Sequence, residues 1–312
     1  MLNSTSGHAG PVTSTAREIQ QTKITGDGSD WRSLLAVTVT VVAWASAFVV
    51  IRYAAHDISP GALSLGRLLV GSLALTAMMI GRKLVRMSHR EWALTTLVGV
   101  AWFAVYSVAL NSGEQHIDAG TASMLIQFAP ILIGVLAGIL LGEGFPRMLV
   151  IGGLVAFAGT LIIGFATSTG EADLAGVLLV LLSATVYSIA MVAQKVVLRR
   201  IPALQVTWLA CLIGTVACLP FAAELVRDIT AAPARQIVGV IYLGLVPTAL
   251  AFSTWAYALS HSSAGKLGVT TFVVPPITIL LGWLFLSEVP PTLAIVGGAL
   301  SLVGVAIARR RA

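Results

Sequence analysis

Aromatic and amide side chains inside long apolar runs are the residues of this 312-residue chain best suited to bind a small molecule. Trp44, Trp102 and Tyr187 fall near the middle of three such runs, and buried indole and phenol groups need a hydrogen-bond partner. Gln127 stands out because an amide at that depth is costly unless it is paired or hydrated. A cavity lined in this way would hold an apolar or aromatic side chain, or a cation through the ring faces.

The full set of predicted binding residues joins these aromatic side chains to the few polar ones at similar depth. The predicted substrate-binding residues are Trp44, Ser46, Trp102, Tyr106, Gln127, Tyr187, Ser188, Trp255 and Thr271. Structural interpretations stay open, since a ring can fill core space and Ser or Thr often bonds its own helix. Arg67, the only basic residue well inside an apolar run, either reaches the surface or caps a helix, or it faces the cavity and holds a carboxylate.

Two prolines, Pro130 and Pro275, lie near the middle of two further apolar runs and are predicted to act as hinges. A proline inside a helix removes one backbone hydrogen bond and bends the helix. Breaks at corresponding positions of two repeats indicate a transport site, so the pair predicts gating helices beside a central cavity. A static bend that serves only packing is the alternative.

The chain lacks the residues that other kinds of chemistry require. No Asp or Glu lies near the centre of an apolar run, so the buried carboxylate expected of a proton-coupled exporter is missing. No histidine lies there either, which leaves an intramembrane hydrolase or a metal site without its parts. No Walker motif for ATP hydrolysis occurs. We therefore predict no catalytic residues, no metal and no cofactor.

Composition indicates that a membrane-embedded structure positions these residues. Hydrophobic residues make up 57% of the chain and charged residues 10%, whereas charged residues form about a quarter of a soluble domain. The apolar runs are continuous over about 20 residues, which favours spanning helices over strands. Ten runs are predicted to span: 33–51, 62–80, 92–110, 119–141, 148–166, 174–195, 204–222, 236–258, 265–287 and 292–308. The longest connection is predicted at about 223–235.

An internal repeat relates the two halves of the chain. Residues 119–163 align with 264–308 without a gap at an offset of 145, which pairs Pro130 with Pro275 and Glu143 with Glu288. A repeat of this kind in a very hydrophobic chain indicates a transporter. Because ten helices make five per half, the second half enters the membrane from the opposite side, and the repeat is predicted to be inverted.

The distribution of basic residues predicts the orientation of the chain. With the first tail placed inside, 14 Lys and Arg residues fall on the inner side and three on the outer side. This bias predicts that both termini are cytoplasmic. The predicted parts are a disordered cytoplasmic tail at 1–31, a first five-helix repeat at 33–166 and an inverted second repeat at 174–308.

Two further patterns predict how the helices pack. Glu143 and Glu288 stand just before helices that begin with proline, where a carboxylate caps free amides; a substrate or proton site is the alternative. Small residues on the fifth and tenth predicted helices predict close contact with the fourth and ninth, respectively. These glycines are Gly152, Gly153, Gly159, Gly297, Gly298 and Gly304.

The repeated segments carry a resemblance to a known family. They read AGTASMLIQFAPILIGVLAGILLGEGFPRMLVIGGLVAFAG and AGKLGVTTFVVPPITILLGWLFLSEVPPTLAIVGGALSLVG. With a central proline, a Gly/Ser-Glu turn and a proline-started, glycine-rich last helix, each resembles the EamA module of the drug/metabolite transporter superfamily. The resemblance to a tandem EamA protein covers residues 33–308. Within the superfamily, the chain is most similar to the YddG-type amino-acid exporters of bacterial inner membranes.

The predicted function is secondary transport of small metabolites by alternating access around a midplane cavity. The aromatic residues and the resemblance favour hydrophobic or aromatic amino acids, and export from the cell is implied by the resemblance alone. An exporter of lipophilic cations or drugs, a membrane-embedded enzyme and a channel are the alternatives. The predicted partners are a small-molecule substrate and the lipid bilayer, without nucleic acid, and the protein is predicted to be a monomer or a weak homodimer.

Overall fold

The computed structural model of the protein describes residues 28–54, 57–116, 125–167, 173–286 and 291–308. Over these ranges the chain forms helices joined by short turns, and no strand occurs in them. The helices are α1 (Gly28–Ala54), α2 (Pro60–Met79), α3 (His89–Gly113), α4 (Ala129–Leu140), α5 (Arg147–Thr167), α6 (Leu174–Val197), α7 (Ala203–Ala217), α8 (Ala222–Ala231), α9 (Ala234–His261), α10 (Ala264–Phe285) and α11 (Thr292–Ala308).

Six of the described helices are long and apolar enough to cross a membrane, namely α1, α2, α3, α6, α9 and α10. The pair α7–α8, which is bent by 51°, would form a seventh span if both helices cross the membrane together. Shorter apolar helices are α4, α11 and the stretch Arg147–Ile163 of α5. The prediction of an all-helical, multi-pass membrane protein is confirmed. The first six residues of the predicted run 119–141 lie outside the described residues.

The segment predicted as the longest loop, 223–235, is instead mostly helical. Pro220 cannot continue α7 because it has no amide hydrogen, and the chain turns there before α8 begins. The acidic residues of α8 then bind the start of α2: Asp228 accepts a hydrogen bond from the backbone amide of Ser59 at 2.8 Å, and Glu224 accepts one from the Ser59 hydroxyl at 3.0 Å. Charged residues that suggest a loop therefore form the polar side of a helix.

Matched positions of the two halves have the same local backbone. Gly99 and Gly244, which are 145 residues apart, each begin a π-helical segment, in α3 and α9 respectively. A turn at Gln127 and Phe128 precedes α4, and a short 3-10 turn at Thr271–Val273 interrupts α10. The four irregular segments occur as two pairs at nearly the same offset as the sequence repeat.

The glycine-rich faces of α5 and α11 contact each other. A Cβ atom on Gly152 would lie 2.3 Å from the backbone nitrogen of Ala308, and one on Gly304 would lie 2.2 Å from that of Ala156. The prediction that these two glycines join α5 to α4 and α11 to α10 is therefore wrong; Gly159 and Gly297 also face each other's helices. Gly298 does face α10, since its Cβ would lie 3.5 Å from Pro276. Glycine spacing identifies a narrow helix face but not the helix that covers it.

Glu143 caps a helix of the other half of the chain. Its carboxylate accepts hydrogen bonds from the backbone amides of Ala264 at 2.7 Å and Gly265 at 3.0 Å, at the start of α10. The prediction of a capping role has the right chemistry, but the expected helix, α5, is wrong. Gly142 and Gly144 have φ values of +68° and +65°, which turn the chain on either side of Glu143. Glu288, predicted to have the same role, lies outside the described residues.

Candidate substrate-binding cavity

A cavity of about 710 Å³, its open side included, lies between the two halves of the chain. It is lined by residues of α1, α2, α3 and the turn before α4 from the first half, and of α6, α9 and α10 from the second. The lining residues are Trp44, Ala47, Phe48, Ile51, Arg67, Trp102, Tyr106, Leu110, Ile126, Gln127, Tyr187, Phe252, Thr271 and Val274.

Trp102 is the centre of an aromatic cluster that forms much of the cavity wall. Its ring centroid lies 4.7 Å from that of Tyr187, 4.9 Å from that of Phe252 and 6.1 Å from that of Trp44. Only 2% of Trp102 is exposed. Aromatic pairs at these distances contribute about 0.5–1.5 kcal/mol beyond the burial of their area. Four helices, α1, α3, α6 and α9, therefore meet through this cluster.

The two broken helices are joined by a hydrogen bond beside the cavity. The side-chain amide of Gln127 donates to the backbone carbonyl of Thr271 at 3.3 Å. That carbonyl would normally accept from the amide four residues later, but Pro275 stands there and has no amide hydrogen. The carbonyl instead accepts from the backbone amide of Val274, three residues later, and from the side chain of Gln127. The predicted interruptions are present beside both Pro130 and Pro275, and their role as hinges stays a prediction.

Six of the nine predicted binding residues line the cavity, and Ser46, Ser188 and Trp255 do not. The Ser46 hydroxyl lies 2.7 Å from the hydroxyl of Tyr242, and Ser188 donates to the carbonyl of Ala184 at 2.6 Å. Trp255 is completely buried behind the lining, with its ring centroid 4.9 Å from that of Trp44. Ser46 is two residues from Trp44 and Ser188 is one from Tyr187, which turns each to another side of its helix.

The cavity also contains residues that were not predicted as binding residues. Phe48 and Ile51 lie four and seven residues after Trp44, and this helical spacing places all three on one face of α1. That periodic signal is readable from the sequence. Phe252 gives no such signal. Trp255 follows it at helical spacing, three residues later, but is fully buried and does not line the cavity. Arg67 is 8% exposed and faces the cavity, so it does not reach the surface.

An aromatic cavity at the breaks of two helices, inside a bundle of apolar spanning helices, is the arrangement of a membrane transporter. The chain belongs to the EamA-like transporter family, whose model matches residues 31–165 and 174–310. This confirms the family indicated by the repeated segments. The family and the exporter and transporter names of the relatives identify the protein as a transporter rather than an enzyme.

Individual relatives cover most of the chain. It is 36% identical over 280 residues to a probable terminal-alkyne amino-acid exporter of Streptantibioticus cattleyicolor, a match that spans 90% of this chain and 94% of that protein. It is 29% identical over 272 residues to the uncharacterized transporter YdfC of Bacillus subtilis, spanning 87% and 89% of the two chains. A protein of known crystal structure shares the fold, with a TM-score of 0.72, 21% identity and coverage of 89% of this chain and 96% of that chain.

Proposed function

We propose that the protein is a secondary transporter that exports small metabolites, with hydrophobic or aromatic amino acids as substrates. In this proposal, ten helices span a bacterial inner membrane as two inverted five-helix repeats, with both termini in the cytoplasm and the protein acting as a monomer or weak homodimer. The observation that carries the proposal is the aromatic cavity around Trp102, to which both halves of the chain contribute.

Alternating access is supported by the matched irregular segments of the two halves. Gly99 and Gly244 begin corresponding π-helical segments, and both broken helices meet at the bond between Gln127 and Thr271. Such discontinuous helices leave backbone groups at the cavity that can change partners when one half moves against the other. The two halves would then open the same cavity alternately to the two sides of the membrane.

The nature of the substrate is argued from the cavity wall and from one relative. Indole and phenyl rings favour an apolar or aromatic side chain, and the relative from Streptantibioticus cattleyicolor bears the name of an amino-acid exporter. The direction of transport rests on that name and on the family resemblance. Export of lipophilic cations is disfavoured, since the described residues that line the cavity include Arg67 but no acid.

Counterflow in proteoliposomes tests this function. The purified protein is reconstituted with excess unlabelled phenylalanine inside, and uptake of labelled phenylalanine is followed with and without a pH gradient; protein-free liposomes are the control. A carrier is expected to accumulate label transiently, to saturate and to need internal substrate. Uptake that never saturates and ignores internal substrate would indicate a channel, and labelled tetraphenylphosphonium moving in place of phenylalanine would indicate a cation exporter.

A further inference from the structure

Arg67 is a buried positive charge with very few protein partners. It lies in α2, is 8% exposed and borders the cavity. Its single hydrogen bond to the described residues runs from Nε to the hydroxyl oxygen of Thr248 at 3.1 Å. Across the described ranges, no carboxylate forms an ion pair with it. A guanidinium has five N–H donors, so most of its hydrogen-bonding capacity is left for another partner.

The packing of α2 against α9 fixes the orientation of this side chain. A Cβ atom on Gly71 would lie 2.7 Å from a methyl carbon of Thr248, and one on Gly244 would lie 2.8 Å from the carbonyl oxygen of Arg67. The two backbones therefore approach closely only because both residues are glycine. Thr248 donates its hydroxyl hydrogen to the carbonyl of Leu243 at 2.8 Å, which leaves its oxygen free to accept from Arg67.

The terminal amino groups of Arg67 face the cavity. They donate to no acceptor among the described residues, and neither belongs to the polar atoms that are buried without a partner. Tyr187 lines the same cavity, and its hydroxyl is buried without a hydrogen-bond partner among the described residues. A buried charge without an ionic partner is costly, and an anionic ligand that fills the cavity would remove this cost.

The positive charge has no equivalent in the other half of the chain. The third quarter of the chain repeats the first at an offset of 143, which places Ala210 opposite Arg67. The structure agrees, because a Cβ on Gly99 would meet the carbonyl oxygen of Ala210 at 2.7 Å, as one on Gly244 meets that of Arg67. The cavity therefore has one cationic side, and a ligand with one negative group would bind in a single orientation.

We propose that Arg67 binds the carboxylate of the substrate through its two terminal amino groups, with the substrate side chain against the Trp102 cluster. The planar guanidinium matches a carboxylate with two parallel hydrogen bonds. Because none of the described lining residues is acidic, a substrate amino group is not required for binding. This inference rests on the proposed function, and it defines the substrates as hydrophobic or aromatic carboxylates, with amino acids as one case.

Three ligands that share a phenyl ring test the inference by calorimetric titration of the full chain in lipid nanodiscs. Phenylalanine has both charged groups, 3-phenylpropanoate lacks the amino group, and phenethylamine lacks the carboxylate. We expect 3-phenylpropanoate to bind within about tenfold of phenylalanine, and phenethylamine to bind at least about 100-fold more weakly. Equal binding of phenethylamine and phenylalanine, or no binding of either carboxylate, would overturn the assignment.

Variants of Arg67 give the second measurement. Arg67→Gln should weaken both carboxylates about 100-fold and remove the preference over phenethylamine, whereas Arg67→Lys keeps the charge and should lose about tenfold. Thr248→Val, which removes the hydroxyl that orients Arg67 together with its bond to the Leu243 carbonyl, should lose about threefold. Unchanged carboxylate affinity in Arg67→Gln would contradict the inference. If Arg67→Gln does not fold, the ligand series with the unaltered chain still decides.

The binding measurement separates this inference from the proposed function. Carboxylates that bind through Arg67 but show no counterflow would disprove secondary transport and leave the binding site established. Counterflow of phenylalanine that phenethylamine inhibits as well as 3-phenylpropanoate does would support secondary transport and disprove the role of Arg67.

Discussion

Glu143 and Ala264 connect the two halves of the chain through a helix N-terminus. The Glu143 carboxylate accepts a hydrogen bond from the backbone amide of Ala264 at 2.7 Å, and its second oxygen accepts one from Gly265. The first amides of a helix have no partner within the helix and carry partial positive charge, so a carboxylate stabilises them. The same two segments must separate if α4 and α10 move apart at this end during transport.

Loss of this contact is expected to loosen the start of α10. Hydrogen bonds to a charged group contribute about 1.5–3 kcal/mol, so Glu143→Ala should raise amide exchange over residues 264–270 about 10- to 100-fold. Hydrogen–deuterium exchange with mass spectrometry measures this directly. Asp173→Ala is the matched control, because Asp173 caps a different helix, α6, through the amide of Ala175. Unchanged exchange in Glu143→Ala would show that the contact does not hold the helix.

The aromatic cluster is expected to determine substrate affinity. Trp102→Phe keeps a ring but loses the larger indole surface and should raise the KM for phenylalanine about 3- to 10-fold. Trp102→Ala should abolish transport, although truncation of a buried Trp costs about 3–5 kcal/mol of stability, so the folded fraction must be measured by size-exclusion chromatography. Trp283→Phe is the control, since Trp283 is 50% exposed on the outside of α10. Equal changes in KM for Trp102→Phe and Trp283→Phe would show that the aromatic cluster is not part of the binding site.

The bond between Gln127 and Thr271 is expected to stabilise the protein. Gln127→Leu removes the side-chain donor and leaves the Thr271 carbonyl with the backbone amide of Val274 alone. The loss of one such hydrogen bond costs about 0.5–1.5 kcal/mol. We expect a lower melting temperature in detergent and transport slowed by about tenfold. Gln194→Leu is the matched control, because both side-chain amide atoms of Gln194 are buried without partners in the described chain, and its melting temperature should stay the same or rise. The same decrease in both variants would contradict the proposed role of Gln127.

The contact between α5 and α11 is expected to tolerate no added carbon. Gly304→Ala places a methyl group 2.2 Å from the backbone nitrogen of Ala156, so a helix must shift, at a cost of about 1–3 kcal/mol. The melting temperature should fall by about 2 °C or more. Gly134→Ala is the control, since no atom lies within 4 Å of the added carbon and alanine favours the helix. A melting temperature of Gly304→Ala equal to that of the unaltered chain would disprove this packing.

The positions and types of the spanning helices could be predicted from the sequence, because continuous apolar runs in a membrane must form helices. Over the residues that the structure describes, six of the ten predicted runs coincide with helices long enough to span, and the other four coincide with shorter or bent apolar helices. The break before α4 and the turn in α10 were also predictable, since Pro130 and Pro275 lack the amide hydrogen that a regular helix needs. The exception was α8, where a helical segment with one polar face resembles a charged loop.

The partners of these elements were decided by the tertiary structure alone. Spacing along α5 indicates a narrow glycine face, but α11 rather than α4 covers it; spacing around Glu143 indicates a cap, but the capped amide is that of Ala264. The sequence by itself determined the fold class, the repeat and six of the nine lining residues proposed. Only the structure placed Arg67 at the cavity, because a single charge in a helix has no periodicity from which its direction can be read.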